Sequence, residues 1–363
     1  MAKKSFKRYF SYFFKPQMFA VDVNNSDLKI FQVECGNDKD VVRGWSKKVL
    51  APGVVVDFEI QKIDEFVAVL KDALSEISSK KIKGRSVVVS VPEDKVFLQV
   101  IKLPLMKEKE VREAIHWELE SHIPISIDEV YFDWQIVGRN AKDMDILVAA
   151  TPQKVVDSLI TAFEMAGLTV SVLEADSVAT RRSVLDKDEK EPVLVVDVGI
   201  DGTAYFVYDK GYPVFSSSSS ISGKLFTDVV SKEFGIELNK AENYKTKVGL
   251  GSNKQEREEA LKIYKPILSN FIQEMSKTIS FFENNLTTDD RKIGKVIMVG
   301  GGSNLKGLIS YAAIHLKKDV VQGNPWKNVR FNKQIPSISR SEAQSYITAI
   351  GLALRGCKNE YFD

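Results

Sequence analysis

Apolar and polar positions over residues 19–22, 28–34 and 41–49 follow a β pattern, and the polar turn Asn24-Asn25-Ser26-Asp27 separates the first two runs. Such runs bounded by turn residues predict strands, here a tight hairpin extended into a three-strand meander. Over 60–77 the period becomes helical, with Ile63, Phe66, Val67, Leu70, Ala73, Leu74 and Ile77 on one face. The valine-rich run 86–91 predicts a strand covered on both faces. The pattern then predicts a strand over 97–103, a helix over 107–122 with Val111, Ile115 and Leu119 inward, strands over 131–137 and 145–150, and a helix over 152–166 ended by Gly167. Residues 97–167 thus read as a βαββα unit inserted into the first half. A strand over 168–173 and a helix over 177–185 close that half, and the charged run 186–191 before Pro192 predicts a solvated hinge.

The second half repeats the first. Strands are predicted over 193–198, 203–208 and 212–216, joined by the turns Gly199-Ile200-Asp201-Gly202 and Asp209-Lys210-Gly211. Helices follow over 225–234, 241–249 and 255–286, then a buried strand over 295–299 and helices over 303–316 and 341–355. Strand meanders therefore begin at Phe19 and again at Val193, each followed by a helix and further strands.

The candidate chemistry sits at matching places in the two halves. Asp22 closes one apolar strand and Asp197 the other, and each is followed by a polar or glycine-rich turn. Such turns converge backbone N–H groups on an anion, and two facing turns cradle a β- and a γ-phosphate. Strand-end aspartates hold a hydrated Mg²⁺ through water, because Mg²⁺ demands octahedral oxygen ligands and keeps several waters. On this reading Asp22, Asn24, Asn25 and Lys29 belong to one phosphate turn, and Asp197, Gly199, Thr203 and Gly223 to the other. Gly300, Gly301 and Gly302 follow a buried strand and lead into Ser303 at a predicted helix start, which suits close approach to a base or ribose. Glu242 and Lys245, three apart, share a helix face and complete the candidate nucleotide contacts.

Composition narrows the classes. With 363 residues, 44% of them hydrophobic, the chain exceeds one compact core and predicts two lobes. A formal net charge of +2 carries no nucleic-acid-binding excess. No apolar run approaches the ~20 residues of a membrane-spanning helix, and no signal peptide is visible. Cys35 and Cys357 are read as two unrelated thiols in a reducing compartment, and His116, His122 and His315 form no ligand motif. At the start, Phe6, Tyr9, Phe10 and Phe13 recur at helical spacing among Lys3, Lys4, Lys7, Arg8 and Lys15. That segment suits either an anionic membrane surface or packing on the protein body.

Together these motifs resemble the actin-like ATPase superfamily: an α/β, two-lobed fold of duplicated RNase H-like lobes. The turns at Asp22–Lys29 and Asp197–Thr203 look like its phosphate motifs, Gly300–Asn304 like its adenosine motif, and the helices at 175–182 and 341–355 like its connecting helices. The inserted unit is similar to that of FtsA and PilM. The type IV pilus assembly protein PilM family is the better match: Glu110–Pro124, then Asp128–Trp134, the ending Gly351–Gly356 and Phe14-Lys15-Pro16 follow its pattern. The resemblance implies a basic N-terminal segment (1–17), lobe 1 (18–185) holding the inserted subdomain (97–167), lobe 2 (186–340), a returning helix (341–356) and a tail (357–363). It also implies binding of ATP and Mg²⁺, and a place on the cytoplasmic face of the inner membrane. The implied partners are the N-terminal peptide of a PilN-like membrane protein, held between lobe 1 and the inserted unit, and the pilus motor ATPases.

Departures from the family pattern bear on turnover. Asn24 stands where a glycine is usual, and Ser222-Gly223 replaces two glycines, after the run Ser216–Ser220. No general base is evident beside the γ-phosphate position, which implies at most slow ATP hydrolysis. A small-molecule kinase of the same fold, or an FtsA-like division protein, are the alternatives. The kinase needs a carboxylate base in the cleft.

Overall fold

The computed structural model describes residues 17–358 apart from 37–39, 79–81, 124, 252, 288–289 and 332–337. The amphipathic start over 1–16, Pro124 of the family-like motif and the tail beyond residue 358 lie outside the described residues.

Lobe 1 opens with the expected meander: β1 (Met18–Val23), β2 (Asp27–Glu34) and β3 (Asp40–Val49). A small hairpin follows, β4 (Val55–Val56) and β5 (Glu59–Ile60), then helix α1 (Ile63–Ser75) and strand β6 (Ser86–Val91). The next elements are β7 (Phe97–Pro104), α2 (Glu108–His122), β8 (Val130–Arg139), β9 (Asp143–Pro152) and α3 (Gln153–Met165). Strand β10 (Thr169–Ala175) and helix α4 (Asp176–Val184) lead to lobe 2.

Lobe 2 holds β11 (Val193–Val198), β12 (Thr203–Asp209), β13 (Tyr212–Ser219), α5 (Gly223–Phe234), α6 (Leu238–Val248) and the long α7 (Lys254–Phe281). It continues with β14 (Lys295–Val299), α8 (Leu308–Leu316) and β15 (Asp319–Gln322). The chain then returns to lobe 1 through β16 (Val329–Phe331), the short α9 (Arg340–Ala343) and α10 (Ile347–Lys358).

The duplication is explicit in strand order. Lobe 1 runs β10-β6-β1-β2-β3-β16 and lobe 2 runs β13-β12-β11-β14-β15. In both, the first strand pairs antiparallel with the second and parallel with a later strand, β6 or β14. This central place explains the apolar runs. In β6, Val87 and Val89 enter the core under α1 and α3, while Val88 faces the opposite core under α10. In β11, Leu194 and Val196 face the α7 side and Val195 the other. A strand covered on both faces cannot afford polar positions until it emerges at its end.

Strands β7, β9 and β8 form the inserted unit's antiparallel sheet, with α2 supplying Val111, Ile115 and Leu119 to its core. Helix α3 follows directly in sequence, yet its Val155, Leu159, Ala162 and Phe163 join the core of lobe 1 with Phe66 and Leu70 of α1. The βαββα segment is thus anchored to the lobe by its last helix. Strands β4, β5, β15 and β16 have two to four residues each, too short to leave a period in the sequence.

One expectation is overturned. Cys35 and Cys357 are joined by a disulfide, with Cα atoms 5.4 Å apart. A separation of 322 residues says nothing about distance here, because α10 runs back across β1, β2 and β6 and ends beside the exit of β2.

Candidate functional site

The ends of β1 and β11 meet across a cleft of about 950 Å³ lined by both lobes. Asp22, Asn24, Asn25 and Lys29 face it from lobe 1, and Asp197, Gly199, Thr203 and Gly223 from lobe 2. Glu242, Lys245, Gly300, Gly301 and Gly302 complete that wall. Ser303 is turned away: it is 2% exposed, and its hydroxyl donates to the Gly300 carbonyl at 2.7 Å. It ties the glycine turn together from behind.

In the first turn, the Asn24 N–H donates to the Asp27 carbonyl at 2.8 Å, and Asn25 Oδ1 accepts from the Phe58 N–H at 2.9 Å. Asp22 Oδ1 accepts from Ser90 Oγ, the hydroxyl one residue before the end of neighbouring β6. The Lys29 ammonium lies 2.5 Å from Asp27 and 3.4 Å from Asp22. Burial alone would depress that lysine, but Asp22 and Asp27 outweigh it and hold it above its ordinary range. The second turn is closed by Gly199 N–H on the Gly202 carbonyl and by Gly223 N–H on the Gly199 carbonyl, both 2.8 Å. Helix α5 starts there, with Ser222 as its cap accepting from Leu225 N–H. Lys245 is bound by Glu242 at 2.6 Å, Thr227 Oγ1 at 2.8 Å and the Gly223 carbonyl at 2.9 Å.

Glycine is required at two places in the third motif. Gly300 has φ +80°, and a Cβ there would lie 2.2 Å from Asp197 Oδ1; a Cβ on Gly302 would lie 2.4 Å from Val198 Cγ1. Gly301 is exposed to the cleft.

Sequence reasoning missed a third group of carboxylates. Glu93 follows β6, Asp176 begins α4 directly after β10, and both line the cleft. The rule that selected Asp22 and Asp197, an acid emerging at the end of an apolar strand, selects these as well. Burial raises Glu93, and burial together with Asp22, Glu93 and Asp197 raises Asp176 well above the usual carboxylate range. Burial and Asp22 push Asp197 up to about 7, against the pull of Lys29. Glu93 Oε2 accepts from Ser177 N–H, while Glu93 Oε1 and Asp176 Oδ1 are buried without a hydrogen-bond partner. In all, eleven carboxylates and four lysines line the cleft. A polyanion enters such a field only with a cation, and the orphaned carboxylate oxygens fit a hydrated one. Among the described residues no three acidic, His or Cys side chains are grouped to hold a metal directly, so a cation here would keep its waters.

A carboxylate whose folded pKa is raised stabilises the fold below its unfolded value, and that contribution is lost as pH rises through the folded value. For Asp197 the loss runs from its ordinary value of 3.8 up to about 7. Without divalent cations, the thermal midpoint is therefore expected to fall between about pH 4 and about pH 7, and Asp197→Asn to flatten that fall. Unfolding curves of both proteins in chelator test this; parallel profiles would contradict the electrostatics.

The model of the family "Type IV pilus assembly protein PilM" matches residues 20–357. The solved PilM–PilN type IV pilus biogenesis complex contains a chain 25% identical to this one, with TM-score 0.80, covering 95% of this chain and 99% of that one. MreB5 of Spiroplasma citri, solved with AMPPNP, shares the fold at TM-score 0.52 and 12% identity, over 93% of this chain and 95% of that one. The cell division protein FtsA of Staphylococcus epidermidis is 24% identical over 198 residues, half of this chain and 42% of that protein's length. No described helix is long and apolar enough to cross a membrane. By the family match, and by the two mirrored lobes that meet at Asp22 and Asp197, this chain belongs to the type IV pilus assembly protein PilM family, an actin-like branch.

Proposed function

We propose that the chain is a nucleotide-responsive scaffold of the type IV pilus machine, binding Mg²⁺–ATP in the interlobe cleft. The observation that carries the reading is the juxtaposition of Asp22, Asp197 and the Gly300–Gly302 turn around one acidic cleft. Asn24, Asn25, Lys29, Gly199 and Thr203 would face the phosphates, and Glu242 and Lys245 the ribose side. Asp22 and Asp197 would hold the cation through water, and the cation would neutralise the polyphosphate. Turnover is slow or nil on this reading, in which Asn24 and Ser222-Gly223 stand where the family pattern has glycines.

The same reading has the inserted unit and its border with lobe 1 take the cytoplasmic N-terminal peptide of a PilN-like inner-membrane protein. That docking would place the chain at the inner face of the membrane and link the membrane complex to the motor ATPases. The solved relative's title names that partner. Titration calorimetry with ATP, with and without Mg²⁺, and then with such a peptide tests both halves. Micromolar, Mg²⁺-dependent ATP binding is expected, and no heat with either ligand would end the reading.

The carboxylates in the cleft also meet the kinase reading's requirement for a carboxylate base there. A phosphoryl-transfer screen over common sugars separates the two; robust turnover would favour the kinase.

A further inference from the structure

The Cys35–Cys357 bond is the only covalent link between distant parts of the described chain, and it stands where a helix returns from one lobe to the other. Helix α10 crosses α4 and lies over β1, β2 and β6. Its first residues, Ile347 and Thr348, line the cleft, and its last turn carries Cys357. The bond therefore pins the far end of a helix whose near end borders the candidate site. The two residues differ in exposure. Cys35, just past the end of β2, is exposed, whereas Cys357, in the last turn of the helix, is 8% exposed. On the function proposed above, on which this inference rests, the chain works at the cytoplasmic face, a reducing compartment where disulfides are rare and mostly exchange or sensing sites.

We propose that Cys35–Cys357 is a reversible thiol–disulfide exchange site, addressed at Cys35 by a dithiol reductant, that fastens and releases the last turn of α10. A reductant thiolate attacks Cys35 Sγ and forms a mixed disulfide. The Cys35–Cys357 bond breaks, and its electron pair leaves on Cys357 Sγ, which takes up a proton. The reductant's second thiolate attacks its own sulfur in the mixed disulfide and expels Cys35 as a thiolate, which is protonated in turn. Two electrons and two protons have then entered the protein, and the dithiol has become a disulfide. The reverse step uses an oxidised dithiol of the same class. The fold survives reduction, because Leu352, Ala353 and Leu354 stay buried against lobe 1 and Arg355 stays beside Glu174.

The test uses the full chain purified without reductant. Maleimide labelling after denaturation should find no free thiol, and two after native treatment with dithiothreitol. Reduction should lower the thermal midpoint by about 4 °C, and oxidised dithiothreitol should restore it. Cys35→Ser should show neither response and should melt like the reduced wild type. Two free thiols that persist after oxidation would overturn the proposal. So would a bond that dithiothreitol opens only in the unfolded chain, or an equal reductant shift in Cys35→Ser.

Discussion

Replacing Asp197 with alanine should weaken binding of Mg²⁺–ATP by about 100-fold, the loss of one charge-assisted contact of roughly 2–3 kcal/mol. Asp197, the last residue but one of β11, pairs opposite Val299 of β14, so its carboxylate emerges where the Gly300 turn begins. It faces Asp22 across the lobes, and the repulsion between them is part of what raises it to about 7. A divalent cation bound there would remove that repulsion and take its outer contacts from both acids. Alanine leaves Asp22 alone and halves the acid pair. The folding effect runs the other way: an aspartate driven toward protonation is a cost to the empty fold at neutral pH, so Asp197→Asn should fold at least as well as wild type. A binding defect in a well-folded variant therefore reports the site. Calorimetry measures it, and in chelator the two proteins should converge on equally weak binding. Unchanged Mg²⁺-dependent affinity in Asp197→Ala would place the nucleotide elsewhere.

Gly351→Ala is the second large effect expected, and its sign is a contest. In a helix interior alanine is favoured over glycine by about 1 kcal/mol. Gly351, however, lies where α10 crosses α4. A Cβ there would sit 1.9 Å from the Ala179 carbonyl oxygen and 2.9 Å from Ser183 Oγ. The crossing is held on both sides of that point. Ser183 Oγ donates to the Ile347 carbonyl at 2.6 Å, and Arg182 Nη1 donates to the Gly351 carbonyl at 2.9 Å. The neighbour is backbone, which cannot swing aside as a side chain would, so the helices must separate and those bonds must lengthen. Overpacking of this kind costs about 3 kcal/mol, which outweighs the helix preference. Thermal and urea unfolding should show the loss, with α4 and α10 the first segments to exchange amide hydrogens. A Gly351→Ala protein as stable as wild type would mean the helices cross more loosely than described.

Much of this architecture follows from short-range pattern. The β-type runs at 28–34 and 203–208, the valine strand at 86–91 and the helical face of 63–75 each lie within one element, and each formed as its pattern required. The repeat of the meander was visible because a central strand must be apolar on both faces until it ends, which also marks Asp22 and Asp197. Other features needed long-range contacts. Glu93 and Asp176 join Asp197 only when β6 and β10 align beside β1 and the lobes face each other, and their proton affinities come from that crowding. Helix α3 takes its core from lobe 1 although its sequence neighbours form the inserted sheet. Cys35 meets Cys357 only because the last helix returns to the first sheet. Local periodicity is decided within a few residues by backbone geometry and solvent. Proximity between distant residues is decided by how whole layers pack, and no spacing along the chain encodes it.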